Sequence, residues 1–226
     1  MACSVLPRGE SPSIINWRGC YGSAGIHRHV WGCGGKSGAG FAVPVYFFFL
    51  LFQLHYLQRA FIFPFLLKGK SRMPVAIMAM GIVFNLLNGM MQAGGLFYFA
   101  PEGLYADGWA YLLKPHALLG IILFFAGMFV NLHSDYVIRH LRRPGDTKHY
   151  LPGKGLYRYV TSANYFGELV EWTGFAILTA SPAAWVFVWW TFANLVPRAD
   201  AIHRRYREEF GDEAVGKRKR IIPFLY

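Results

Sequence analysis

The sequence predicts an all-α integral membrane helix bundle with about five transmembrane helices, on three observations. Charged residues make up only 15% of the 226 residues while 54% are hydrophobic, against about 25% charged in an ordinary soluble domain. Several stretches of bilayer-spanning length carry almost no charge. The 23 Lys+Arg that outweigh 12 Asp+Glu and give a net charge of +11 gather in compact blocks between those stretches. A basic nucleic-acid binder would spread such charge over a far more polar surface, so no nucleic-acid partner is expected.

Residues 1–41 form a Gly-rich segment, read as disordered or aberrant, set apart from a membrane-embedded domain at 42–226. The first 40 residues hold nine of the 25 Gly and all of Cys3, Cys20 and Cys33, without helical or alternating periodicity. The membrane-embedded domain therefore has neither a disulfide framework nor a thiolate metal site. No apolar h-region opens the chain, which reads as lacking a cleavable secretory signal. Trp31 to Ser37 hints at a phosphate-binding loop, but position 30 is Val where that motif requires Gly.

Ala42 to Leu67, whose only formal charge is Arg59, reads as the first span. Pro74 to Ala100 carries no charge and reads as the second, and Pro115 to Leu132 as the third. Thr173 to Pro197 is uncharged but interrupted by Ser181-Pro182, and its apolar character starts near Tyr165. It is expected to be two short spans joined by a tight turn. Five spans put the basic blocks after the first and third spans and from Arg198 onward on one side, and the acidic loop 101–114 on the other. The positive-inside rule then makes the C-terminus cytoplasmic.

Three polar clusters stand at membrane depth, where ionisable groups are costly and usually functional. His55, Tyr56 and Arg59 are three and four residues apart, which puts Arg59 beside both others on an α-helical face. An interfacial Tyr with a snorkelling Arg is the alternative. Asn131, Asp135 and Arg142 fall within about 40° of one another on a helix. Such a stripe suits a sugar hydroxyl plus a phosphate, and an intrahelical polar network fits it too. Asn164, Glu168 and Glu171 share one face of an apolar segment that also holds Trp172. Two carboxylates there need basic partners such as Arg198, or a ligand's amide and hydroxyls. In the tail, Arg198 ends the last span and is followed by His203 and Tyr206, and Lys217 to Arg220 reads as a headgroup anchor. No GxGxxG, HExxH or GxSxG occurs, so a Rossmann platform, a metal site and a serine hydrolase have no basis.

At these clusters the sequence resembles the C-terminal region of the steroid 5α-reductase family (3-oxo-5α-steroid 4-dehydrogenases). The stretches that carry the likeness are LHYLQRAF (54–61), NLHSDYVIRHLRRPGD (131–146), GLYRYVTSANYFGELVEWTGFA (155–176), PRADAIHRRY (197–206) and IPFLY (222–226), in the family's order, from about Pro44 to Tyr226. The resemblance implies a seven-helix plan, of which five helices remain here, and NADPH held from the cytoplasmic side by Arg59, Lys70, Asn131, Asp135, Arg142, Asn164, Glu168, Arg198, His203 and Tyr206. It implies catalysis by Tyr56, which with a Glu on an earlier helix polarises the C3 carbonyl of a Δ4-3-oxosteroid, and a substrate region with His55, Met80, Glu171 and Trp172.

Three departures accompany the likeness. The region where the family's Glu would fall is the Gly-rich stretch, with no acidic residue between Glu10 and Glu102. That Glu therefore has no assigned counterpart, and an impaired, truncated paralogue stands as the alternative to an active reductase. Met80 stands where some members have Arg, and Lys154 enters a turn over the cofactor where some have consecutive Gly. The expected protein is a monomer in the endoplasmic reticulum or a bacterial inner membrane, in contact with membrane lipids and a steroid or other lipid enone. Reduction of another lipid double bond, an impaired nucleotide-binding paralogue and an isoprenylcysteine-type methyltransferase are the alternatives.

Overall fold

The computed structural model describes residues 43–66, 75–141 and 149–226, apart from the side chain of Ile77. The Gly-rich segment, Lys70 and Arg142 lie outside the described residues. Helix α1 runs Val43–Leu66, α2 Val75–Ala93 with a π-helical continuation at Gly94–Tyr98, and a short α3 Trp109–Leu112. Helix α4 covers Pro115–Arg139, α5 Ala163–Thr179, α6 Pro182–Phe210 and the short α7 Asp212–Val215. The described residues thus form a helical bundle, with five long helices at the five expected positions. Of these, α1 and α4 are long and apolar enough by themselves to cross a bilayer.

The expected break near Ser181-Pro182 is present. Helix α5 closes on Ala180, whose φ is +49°, and Pro182 opens α6, where its missing N–H costs nothing. The carbonyls at the end of α5 find partners on the acidic loop and α3: Tyr105 Oη donates to Thr179 O at 2.6 Å and Tyr111 Oη to Leu178 O at 3.0 Å. These hydroxyls satisfy groups that every helix end leaves orphaned. Pro197 does not end α6, which continues to Phe210.

The tightest packing is between α4 and α5. Gly120 and Gly127 on α4 meet Gly174 and Gly167 on α5. A Cβ on Gly127 would lie 2.3 Å from the Glu171 backbone nitrogen, and one on Gly167 would lie 2.5 Å from that of Asn131. Only glycine permits such an approach, the small-residue packing typical of helices in lipid. It also places the backbones of two candidate site residues, Asn131 and Glu171, on the seam.

Helix α2 is built the other way. Val75, Met78, Met80, Val83, Leu86, Leu87 and Met90 are exposed, whereas its polar Asn88 and Gln92 are buried. An apolar exterior over a polar interior is the arrangement expected where the surrounding solvent is lipid.

Candidate active site

Helix α1 brings three polar side chains to three neighbours. His55 Nδ1 meets Glu171 Oε1 of α5 at 2.8 Å, Asn88 Nδ2 of α2 donates to Tyr56 Oη at 2.9 Å, and Arg59 Nη1 donates to Asp135 Oδ2 of α4 at 2.9 Å. The expectation that Arg59 would cluster with His55 and Tyr56 assumed α-helical spacing. Immediately after Tyr56, however, the chain widens into a π turn from Leu57 to Ile62, and residues three and four apart no longer stack as they do in an α-helix. Arg59 reaches across to α4 and lies over the Phe63 ring, 4.7 Å from its centroid.

An aromatic wall surrounds Tyr56. Phe52 lies 4.7 Å from it between ring centroids and Trp172 6.2 Å, and Trp172 lies 4.6 Å from both His55 and Phe187. Trp172 is fully buried. Tyr56 itself is half-buried at the edge of this apolar wall, which strengthens a hydrogen bond made on its enclosed side.

Beside this wall, α4 and α5 carry polar groups with unused capacity. Asn131 and Asp135 are buried. Asn131 Nδ2 and Trp172 Nε1 are both enclosed and without a hydrogen-bond partner. Glu171, 1% exposed, takes His55 as its partner, not Arg198 as its sequence context suggested. Glu168 makes no hydrogen bond or ion pair among the described residues, yet it acts electrostatically on Tyr56, Asp135, Tyr165 and Glu171. Asn164 Oδ1 accepts from the buried Tyr157 at 3.4 Å. Buried polar atoms in native structures are nearly always satisfied, so such a concentration marks a place where a ligand's groups can enter.

Toward the C-terminal end of the bundle the chain folds back on itself. Thr161 N donates to Lys219 O at 2.9 Å and Lys219 N to Tyr159 O at 2.8 Å. Arg220 Nε donates to Asp200 of α6 at 2.6 Å. This clasp holds the segment that precedes Asn164. It also holds His203, whose Nδ1 lies 3.3 Å from Thr161 Oγ1. Burial, with Arg220 and Arg207 nearby, pushes the His203 imidazole below its ordinary range and keeps it neutral at pH 7. Tyr206 is half-buried one turn further, and Arg198 is exposed on the same helix within electrostatic reach of Tyr165. Gly155, at φ +61°, lets the loop turn against the His133 ring, which a Cβ would meet at 2.6 Å.

Met80 does not join the cluster. It is 66% exposed on the outer face of α2, because the inward face of that helix is given to Asn88 and Gln92. Those two residues were not anticipated. Gln92 Nε2 lies 3.4 Å from Asn88 Oδ1 and 3.1 Å from Ala183 O of α6. Their signal in the sequence was two amides four residues apart in an uncharged span, which a search confined to ionisable groups passes over.

Known proteins are similar to this chain over most of its length. Residues 71–226 match the family model described as 3-oxo-5-alpha-steroid 4-dehydrogenase. The chain is 42% identical over 175 residues to the Bos taurus 3-oxo-5-alpha-steroid 4-dehydrogenase 1, an alignment covering 77% of this chain and 66% of that protein. The human protein of the same name is 42% identical over 176 residues, with 78% and 66% covered. The Sus scrofa 3-oxo-5-alpha-steroid 4-dehydrogenase 2 is 37% identical over 194 residues, with 85% and 73% covered. The chain spans just under two thirds of the length of the two type 1 relatives. With an all-helical bundle and a family match over most of its length, the chain belongs to the 3-oxo-5-alpha-steroid 4-dehydrogenase family of membrane oxidoreductases.

Proposed function

We propose that residues 42–226 form a membrane-embedded reductase domain that acts with NADPH on the Δ4 double bond of a 3-oxosteroid. The observation that carries the cofactor assignment is the pair of buried donors without partners, Asn131 Nδ2 and Trp172 Nε1, beside the unpaired Glu168. Carboxylates and amides of this kind suit ribose hydroxyls and a carboxamide, whereas Arg59, Arg198, Lys70 and Arg142 suit phosphate oxygens. The donor set therefore fits a phosphorylated dinucleotide better than the weakly charged methyl donor of a membrane methyltransferase. Asn164, His203 and Tyr206 complete the set, and the C-terminal clasp holds the loop next to it. NADPH supplies a hydride for C5 of the enone.

The chain's own contribution centres on Tyr56. As C5 accepts a hydride, negative charge builds on the C3 oxygen, and a hydroxyl fixed at that oxygen in a dry site lowers the barrier. The phenol stays protonated at neutral pH and so can donate. Phe52, Trp172 and the His55–Glu171 pair keep the site closed to water and hold Tyr56 in place. A proton added at C4 completes the product. In the membrane the basic segments and the C-terminus lie on the cytoplasmic side, lipids contact the outer face of α2, and the protein works as a monomer.

The test uses the full chain in detergent with NADPH and testosterone or progesterone. NADPH is expected to bind at low micromolar concentration and the 5α-reduced steroid to accumulate. Asn131→Leu should weaken NADPH about tenfold, the loss of one buried hydrogen bond, and Arg142→Ala should weaken it as well. Tyr56→Phe should lower kcat and leave NADPH affinity unchanged. Absence of NADPH binding overturns the cofactor assignment, and binding without turnover overturns the reductase assignment and leaves a nucleotide-binding protein.

A further inference from the structure

We propose that Asn88 and Gln92 are positioning residues that fix Tyr56 as a hydrogen-bond donor by a one-way relay starting at the Ala183 carbonyl. The inference rests on the reading of Tyr56 as the group that polarises the steroid carbonyl, and adds what makes its proton available. A phenol can donate or accept. If Tyr56 gave its proton to Asn88, it would present only lone pairs to a carbonyl oxygen and would repel it.

The relay forbids that arrangement. A backbone carbonyl only accepts, so Gln92 can meet Ala183 O only through its amide nitrogen, at 3.1 Å. The same nitrogen lies 3.4 Å from Asn88 Oδ1, which therefore faces Gln92 as an acceptor. Asn88 is left with only its Nδ2 to offer Tyr56 Oη, at 2.9 Å. Tyr56 accepts at that end, and its own proton stays free for a further acceptor. Each direction is dictated by the preceding one, back to a group that cannot be reversed.

Two features argue that this chain does more than join helices. Asn88 and Gln92 are each 2% exposed on a helix whose third amide, Asn85, is exposed and bonds its own helix, so these two occupy the inward face at a spacing of four residues. In addition, Gln92 Oε1 is buried with no partner. A pair selected only to hold helices together would not keep an unsatisfied acceptor, whereas a pair that must hold one orientation can.

The experiment compares wild type with Tyr56→Phe, Asn88→Asp, Gln92→Met and the control Asn85→Ala, whose amide bonds only its own helix at Gly81 O. Asn88→Asp keeps the shape but replaces a donor with an acceptor, and so reverses the bond. Two readouts are taken: the infrared stretch of the C3 carbonyl of bound, isotope-labelled testosterone with NADP+, and kcat and KM separately. Wild type should lower the stretch, and Tyr56→Phe and Asn88→Asp should both return it to the unpolarised value. In Asn88→Asp, kcat should fall roughly 100-fold, as loss of one carbonyl donor does, with KM within about threefold. Gln92→Met should give a smaller loss of the same kind, and Asn85→Ala none.

A third readout needs no steroid. The 13Cζ resonance of Tyr56, located by its absence in Tyr56→Phe, should move downfield in Asn88→Asp as the phenol turns from acceptor to donor. An unmoved resonance, or an unshifted carbonyl stretch in Asn88→Asp while Tyr56→Phe loses it, overturns the relay and leaves the function standing. A polarised carbonyl and full kcat in Tyr56→Phe overturn the assignment of the donor itself.

Discussion

Helices α5 and α2 bury their residues in opposite ways. Helix α5 turns glycine, Trp172 and Phe175 into the bundle and touches α4 through backbone, so its place is set by shape. Helix α2 shows its apolar side chains to the outside and turns two amides inward, so its place is set by hydrogen bonds. In water the second pattern would be inside out. In lipid an outward Leu and an inward Leu have the same solvent, and only close packing or a polar bond distinguishes one face from another. Shape therefore fixes the α4–α5 pair, and polarity fixes the partners of α1 and α2.

That contrast is broken most severely at Gly127. Gly127→Leu has no room against the Glu171 backbone, and no rotamer relieves a clash at Cβ. It should leave no monodisperse folded protein in gel filtration. A variant that elutes and melts like wild type would mean the seam is not held by shape. Next is Glu171→Ala, which leaves His55 buried without its partner and should cost about 1–3 kcal/mol, the range for leaving a buried polar group unsatisfied, read as a lower denaturation midpoint. Glu171→Gln, which can still accept, should recover part of it. The smallest effect is expected at Leu87, 60% exposed on α2. Leu87→Ser should alter stability in detergent by within about 0.5 kcal/mol. A loss comparable to that of Glu171→Ala would show that protein, and not lipid, covers the outer face of α2.

The fold was legible because its signals are long. Charge-free runs of span length located all five helices, although α4 runs on to Arg139 and α6 to Phe210, past the expected ends at Leu132 and Pro197. Ser181-Pro182 marked the break between α5 and α6, since a proline N1 and its preceding residue leave a local imprint. That His55, Tyr56, Arg59, Asp135 and Glu171 take polar partners on other helices was also foreshadowed, by residue type at membrane depth. Their partners were not. Helical spacing placed Arg59 with His55 and Tyr56, but a π turn carries no sequence pattern that apolar periodicity detects, and Arg59 pairs with Asp135 instead. Glu171 was expected to find a basic group of a neighbouring segment, such as Arg198, or a ligand's groups, and found His55 of α1, because which helix faces which is set by packing that residue type alone does not reveal. Asn88 and Gln92 escaped because neutral amides leave the charge pattern unmarked.

The π turn at Leu57–Ile62 has a consequence for the length of the chain. A π turn inside an α-helix amounts to one inserted residue that the helix has absorbed without breaking. Removing one residue there, such as Ala60, would heal the turn into regular α-helix and leave the residues beyond it facing much as they do now, while the residues within the turn change direction. The helix and the facing of its two ends would survive, but Arg59, inside the turn, would return to the stripe it shares with His55 and Tyr56. The residue count of this chain at this point thus encodes geometry as well as composition: a single-residue indel, silent in helical propensity, would uncouple the Arg59–Asp135 pair from an otherwise intact helix.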